Sequence, residues 1–304
     1  MSNYLTVTSI SYAPINGTDE EVMVQVHKDL PELVDRAARA TRPDLVVLPE
    51  TICRTCDEEV PEGPTSRLLA DLARQHGCYI TVPVHQQDSK SGAIFNVLGL
   101  LDRKGDLAGI YRKYVPVFPE FDHGTRPGPG AILIQTEFGP VGGVICFDLN
   151  FAELRAQYKE LKPKLLLFSS MYHGGVVQNF WALDVQAFFV GSVYQGTPCT
   201  IIDPQGTTLA ESNNYQPWAT ARINLDYEVV HLDKNQARYD DIQRQYGEAV
   251  RIVTAGQVGT SVIYSESDER TAADIVDEFE LVRLEEYFDW SRDLRQQHIE
   301  GIRP

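Results

Sequence analysis

Positive charge is scarce in this chain. Its 27 lysines and arginines are outnumbered by 43 aspartates and glutamates, a formal net charge of −16 over 304 residues. Gripping a phosphate backbone needs clustered basic side chains, and holding anionic lipid needs a polybasic segment. Neither nucleic acid nor a membrane surface is therefore an expected partner, and the acidity reads as solubility. Cysteine is sparse and odd in number (Cys53, Cys56, Cys78, Cys146 and Cys199), which argues against a disulfide framework and suits a reducing compartment. Nowhere do about 18 apolar residues run together, as a membrane-spanning helix requires. The first residues show no basic region followed by an apolar stretch, so no signal peptide is read and the expected location is the cytoplasm. Metal ligands are also poorly represented. Cys53-Arg-Thr-Cys56 has no second ligand pair and no thioredoxin-like surroundings, while His123 and His173 stand alone. No metal or other cofactor is expected.

What the chain does have is a hydrophobic fraction of 43%, enough for a sizeable core. Strand-like and helix-like stretches alternate along it. Tyr4 to Ser11 reads as a strand and Glu21 to Ala40 as a helix that Pro31 kinks or restarts. The continuous apolar run Asp44 to Leu48 reads as a strand covered on both faces. A helix over Thr65 to His76 and a strand over Tyr79 to Val84 follow. Ile94–Leu101 and Leu107–Arg112 then pair antiparallel, and a long loop spans Phe118 to Gly130. Further on come a helix over Ala152–Leu161, a strand over Lys164–Phe168, a helix over Gln178–Phe189, and a hairpin around Asp203-Pro-Gln-Gly206. Residues 233–304 read as an extension that packs on the core or on a partner subunit, with strands at Val250–Val253 and Thr260–Tyr264 and one long helix from Thr271 to His298. Such alternation indicates α/β architecture, but periodicity does not distinguish one doubly wound sheet from two stacked sheets.

Three strand ends carry the candidate chemistry. Gly142-Gly-Val-Ile-Cys-Phe-Asp-Leu-Asn-Phe-Ala-Glu-Leu-Arg155 reads as strand, sharp turn, helix, with Asn150 and Glu153 spaced as a capping box. Cys146 falls at the turn, where a helix N-terminus would favour thiolate; a small buried residue is the other reading of a lone cysteine. Asp44-Leu-Val-Val-Leu-Pro-Glu50 is a buried run ending on a carboxylate. Tyr111-Arg-Lys-Tyr-Val-Pro-Val-Phe-Pro-Glu120 puts Lys113 at a strand end. Taken singly, Glu50 reads equally as a solvated loop residue and Lys113 as an ordinary strand-end charge.

In this order and at these strand ends, the three motifs resemble the nitrilase superfamily of carbon–nitrogen hydrolases, specifically its amidase side. Over roughly three quarters of the chain, the resemblance implies a four-layer α-β-β-α sandwich with the catalytic domain over residues 1–232. It implies a catalytic set of Glu50, Lys113 and Cys146, with Glu120 as a second glutamate orienting the lysine and substrate. Phe147 would supply an oxyanion N–H, and Met171, Tyr172 and His173 would fall where the family lines its pocket. Cys146-Phe147-Asp148 favours amide or N-carbamoyl substrates over nitriles. The activity implied is hydrolysis of a small-molecule amide through a cysteine thioester, in a homodimer or larger homo-oligomer. Nitrile hydrolysis, acyl transfer from the same thioester, and a catalytically silent assembly protein are the alternatives.

Overall fold

The chain opens as strand, helix, strand. β1 (Tyr4–Ile10) leads into α1 (Asp19–Thr41), and β2 (Leu45–Val47) returns parallel to β1 with Val7 opposite Leu45 and Ser9 opposite Val47. The structure, a computed structural model, describes residues 4–54 and 57–301. A capping box between Thr18 and Glu21 starts α1, each side chain satisfying a backbone N–H of the other. Pro31 does not restart the helix: α1 runs through it, with Leu30, Val34, Ala37 and Ala38 buried. Their burial offsets the roughly 3 kcal/mol cost of an internal proline.

After β2 come β3 (Asp57–Glu58), α2 (Pro64–His76), β4 (Tyr79–Gln87), β5 (Ile94–Leu101) and β6 (Leu107–Arg112). The loop expected from Phe118 holds a short helix, α3 (Phe118–Asp122), followed by β7 (Ile134–Thr136) and β8 (Gly139–Ile145). Then follow α4 (Ala152–Leu161), β9 (Leu165–Ser170), α5 (Val176–Val185), β10 (Phe188–Val193), β11 (Thr200–Ile202), β12 (Thr208–Glu211) and β13 (Trp218–Asn224). The helix expected over Gln178–Phe189 is thus corrected to a helix followed by a strand. Gln186 takes a left-handed backbone that ends α5, and Phe188 to Val193 pair in parallel with β9. A short apolar run does not reveal by itself which of the two elements it will join.

The strands form two sheets, one ordered β13-β1-β2-β4-β5-β6 with β3 beside β4, the other β12-β11-β10-β9-β8-β7. Val22, Val26, Leu30 and Val34 of α1 and Leu69, Leu72 and Ala73 of α2 share a core with Val46, Ile80, Val82 and Val97 of the first sheet. Over the second sheet, Tyr158 of α4 donates its hydroxyl to Gly143 O at 2.5 Å. Trp181 of α5 donates to Leu149 O at 2.9 Å. Between the sheets, three buried serines reach across: Ser9 Oγ to Gly191 O (2.7 Å), Ser192 Oγ to Ile10 O (2.6 Å) and Ser169 Oγ to Leu48 O (2.7 Å). Helices outside and two sheets inside make the four-layer α-β-β-α sandwich.

From Asn224 onward the chain forms a second compact unit, separate from Leu5–Ile223. It contains β14 (Tyr227–His231), α6 (Tyr239–Tyr246), β15 (Val250–Thr254), β16 (Thr260–Ser265), α7 (Ala272–Glu278) and α8 (Leu284–Ile299). Its antiparallel sheet runs β14-β16-β15, around a core of Val230, Ile242, Val250, Ile263, Ile275, Val276 and Leu281. The single final helix expected from Thr271 to His298 is corrected to two. Glu280 takes a positive φ of 53°, and Asn235 grips the break by accepting from Val282 N (2.9 Å) and donating to Val282 O (2.8 Å). No helix among the described residues is long and apolar enough to cross a membrane.

Glycine at 143 lets the two sheets approach, since a Cβ there would lie 2.6 Å from Tyr111 Cβ. Gly143→Ala is expected to overpack the core by about 1–3 kcal/mol and lower the thermal midpoint by several degrees. A midpoint equal to wild type in a calorimetric scan would contradict this.

Candidate active site

β2 delivers Glu50 from its C-terminal end. Leu48 N is held by Thr81 Oγ1 at 2.8 Å, and Ile52 N by Pro83 O at 3.0 Å. Glu50 is only 2% exposed, so its carboxylate must find partners inside the protein. Lys113, one residue past β6, is 1% exposed and places Nζ 2.8 Å from Glu50 Oε1 and 2.7 Å from Glu120 Oε2. Glu120, on α3, also accepts from Val117 N at 2.8 Å. The remaining Glu50 oxygen, Oε2, accepts from Met171 N at 3.1 Å.

Cys146 follows the last residue of β8 with φ at +48°, a left-handed backbone that a non-glycine residue holds at a cost of about 1–3 kcal/mol. It opens a five-residue 3-10 turn, Cys146–Asn150. The side chain that secures this turn is Asp148, which is wholly buried. Asp148 accepts from Tyr111 OH (2.7 Å), Ile145 N (3.1 Å), Val115 N (3.0 Å) and Tyr114 N (3.3 Å). One carboxylate therefore ties the cysteine turn to the segment leaving Lys113. The capping box expected between Asn150 and Glu153 does not form: α4 starts after Phe151 with no side-chain cap. Asn150 donates instead to Phe147 O (2.9 Å) and Tyr172 OH (3.4 Å).

Charge is distributed unevenly in this site. Burial works against the Lys113 ammonium, but Glu50, Cys146 and Glu120 outweigh it and raise the lysine above its ordinary value. Burial likewise pushes Glu120 up, yet His85, Lys113 and Asn96 hold it down at about 2. Cys146 is pushed up to about 12, first by burial and then by the Glu50 carboxylate, with Lys113 and Ser170 pulling the other way. The expectation of a thiolate favoured by a helix N-terminus is thus corrected. The resting thiol stays protonated because it is buried beside a carboxylate and α4 begins only at Ala152. Burial also raises Asp148 to about 6 against its four donors.

Glu50, Lys113, Glu120 and Cys146 come together. Tyr172 lies close enough to sense the Cys146 and Glu50 charges, although burial is the main cause of its raised hydroxyl. Phe147, Met171 and Tyr172 are 37%, 42% and 39% exposed. His173 Nδ1 accepts from Gly175 N at 3.0 Å. Cys53 is buried with Sγ 2.9 Å from Thr65 Oγ1, and Cys56 lies outside the described residues. Asn96 and Asp148 escaped sequence reasoning as members of the site. Asn96 Nδ2 donates to Glu50 Oε1 at 2.8 Å and to Glu120 Oε1 at 2.5 Å. The signal for Asn96 was a polar residue in an otherwise apolar run, and for Asp148 its place beside Cys146.

This arrangement sits in a recognisable family. The chain belongs to the carbon-nitrogen hydrolases, whose family profile matches residues 6–229. It is 29% identical over 232 residues to the nitrilase and fragile histidine triad fusion protein NitFhit of Drosophila melanogaster, a match covering 64% of this chain and 49% of that protein. It is 26% identical over 240 residues to human deaminated glutathione amidase, covering 67% of this chain and 73% of the relative. The chain thus spans about half the length of the fusion protein and about three quarters of the amidase. Among solved structures, Saccharomyces cerevisiae Nit3, of the nitrilase superfamily, superposes with a TM-score of 0.63 at 19% identity, over 73% of this chain and 90% of that one. This likeness places the fold with that superfamily.

Asp148→Ala would leave three backbone N–H groups and a buried phenol without their acceptor, each worth about 1–3 kcal/mol. The expected result is a thermal midpoint lower by on the order of 10 °C. A second measurement reads the thiol. With its pKa raised, Cys146 stays protonated as pH rises through 8.5, where a free cysteine ionises. Its alkylation by iodoacetamide should therefore climb past pH 9 without a plateau, and a plateau near 8.5 would contradict the assignment.

Proposed function

We propose that the chain hydrolyses the carbon–nitrogen bond of a small amide or N-carbamoyl compound through a thioester on Cys146, releasing ammonia or an amine and a carboxylic acid. The observation that carries this reading is the Lys113 ammonium held between the buried Glu50 and the part-buried Glu120, with the Cys146 thiol beside them. Glu120 is taken up by Lys113, Asn96 and Val117, and the base is assigned to Glu50. It takes the thiol proton as sulfur attacks the carbonyl carbon, which generates the thiolate only when it is used. The oxyanion is assigned to Lys113 and the Phe147 N–H as its donors. Glu50 then passes the proton to the departing nitrogen. Next it takes one from the water that opens the thioester, and finally returns that proton to sulfur.

Two features support amides over nitriles: the Cys146-Phe147-Asp148 sequence and the amidase among the relatives. Met171, Tyr172 and His173 are assigned to substrate binding. The chemistry draws on protein groups alone and uses no metal or cofactor. We assign catalysis to residues 1–232 and self-association, as a homodimer or larger, to residues 233–304, where α8 leaves Phe288, Trp290 and Ile299 exposed. A cytoplasmic setting, which keeps the thiol reduced, belongs to the same reading.

Intact-mass measurement over a panel of amides, nitriles and carbamoyl compounds tests it. The wild type should carry an acyl increment on Cys146, Cys146→Ala none, and Glu50→Gln almost none at saturating substrate. Lys113→Ala should lower kcat by about 100-fold or more, not merely raise KM. Full turnover by Cys146→Ala would overturn the reading. Exhaustive chelation should leave turnover unchanged, and light scattering at micromolar concentration should give at least a dimer.

A further inference from the structure

Asn96 sits mid-strand in β5, directly across from His85 of β4, among neighbours that are apolar and fully buried (Val97, Leu98 and Leu100). Its own exposure is 1%. An amide in such a place needs a reason, because an apolar residue of the same size would pack without polar groups to satisfy. Its Nδ2 donates to both Glu50 Oε1 and Glu120 Oε1. Only N–H groups can face two carboxylates, so the orientation of the amide is fixed by chemistry. Its Oδ1 is left buried without a partner, an arrangement that packing alone would not favour.

The backbone of Asn96 takes part as well, its carbonyl accepting from Lys113 N at 2.8 Å. One residue therefore places the lysine through its main chain and both carboxylates through its side chain. The resulting pattern is a closed ring. Lys113 Nζ and Asn96 Nδ2 both donate to Glu50 Oε1, and each takes a different oxygen of Glu120. With two donors on Oε1, the oxygen of Glu50 open to a proton is Oε2, which Met171 N steadies at 3.1 Å.

We propose that Asn96 is a positioning residue of the reaction, tying Glu50 to Glu120 so that Oε1 is occupied and the Cys146 proton is taken on Oε2. This rests on the assignment of Glu50 as the base. Removing Asn96 takes one donor from each carboxylate, so the pair binds protons more readily and the acid side of the activity profile moves to higher pH.

The test uses the full chain with Asn96→Leu (similar size, no donor), Asn96→Asp (same shape, a third carboxylate) and Asn96→Ser (a shorter single donor). Asn96→Leu should lower kcat about 10- to 100-fold with KM within about threefold, and raise the acid limb of kcat/KM by about one pH unit. Asn96→Asp should be at least as impaired and Asn96→Ser intermediate. A merely structural residue would lower the thermal midpoint without moving the acid limb. Wild-type kcat and acid limb in Asn96→Leu, or a loss confined to KM, overturns the proposal. Should Asn96→Leu not fold, the Asn96→Ser profile decides on the same terms. If the wild type turns over no amide, the reading of Glu50 and Cys146 as hydrolytic fails separately. The pH dependence of the thermal midpoint then decides for Asn96: an acid-side loss of stability that begins about one pH unit higher in the variant supports it, and superimposable profiles overturn it.

Discussion

Burying the Lys113 ammonium is the constraint on which the catalytic end of the molecule depends. An ammonium taken out of water carries a penalty of several kcal/mol, recovered only where carboxylates and hydrogen bonds surround it. Glu50 and Glu120 supply that surrounding at 2.8 and 2.7 Å. Glu50 could not be buried so deeply without the lysine. Three strand ends and a short helix must therefore converge on one point, and the geometry of the site follows from the need to neutralise one charge. Breaking any corner leaves an uncompensated charge inside, so the set stands or falls together.

The same arrangement separates roles between two like side chains. Glu120 accepts from Lys113, Asn96 and Val117, and this saturation keeps it ionised. Glu50 has one oxygen turned to Lys113 and Asn96 and the other held only by the Met171 N–H. Two carboxylates around one cation thus differ in availability rather than in kind. A protonated resting thiol fits this division, since a nucleophile released only by its base is not exposed to adventitious oxidation.

Much of this was legible in the sequence where an apolar run stops on a charged residue. Glu50, Lys113 and Cys146 each end a strand, and strand ends are where α/β folds put chemistry. Asn96 was not legible: it lies inside β5, and only the arrival of Glu50 and Glu120 gives its amide something to hold. Asp148 was read as part of a motif and not as the anchor of the turn, because its four donors come from segments over thirty residues away as well as from its own neighbour Ile145. The break between α7 and α8 depends on Asn235, 47 residues upstream. The apolar segment at Phe188–Val193 became a strand because β9 was waiting beside it. Local pattern indicates what a segment tolerates, and distant partners select among the options.

The serines between the sheets carry a consequence for alignment. Glu50 comes from one sheet and Cys146 from the other, so any shear of one sheet over its neighbour would displace base from nucleophile. A purely hydrocarbon seam resists separation but offers little resistance to sliding, because dispersion is nearly indifferent to lateral position. Hydroxyl-to-carbonyl bonds from Ser9, Ser192 and Ser169 are directional and fail when the donor moves by about an ångström. They act as dowels between two plates, and Ser169, bonded to the carbonyl two residues before Glu50, is the dowel nearest the chemistry.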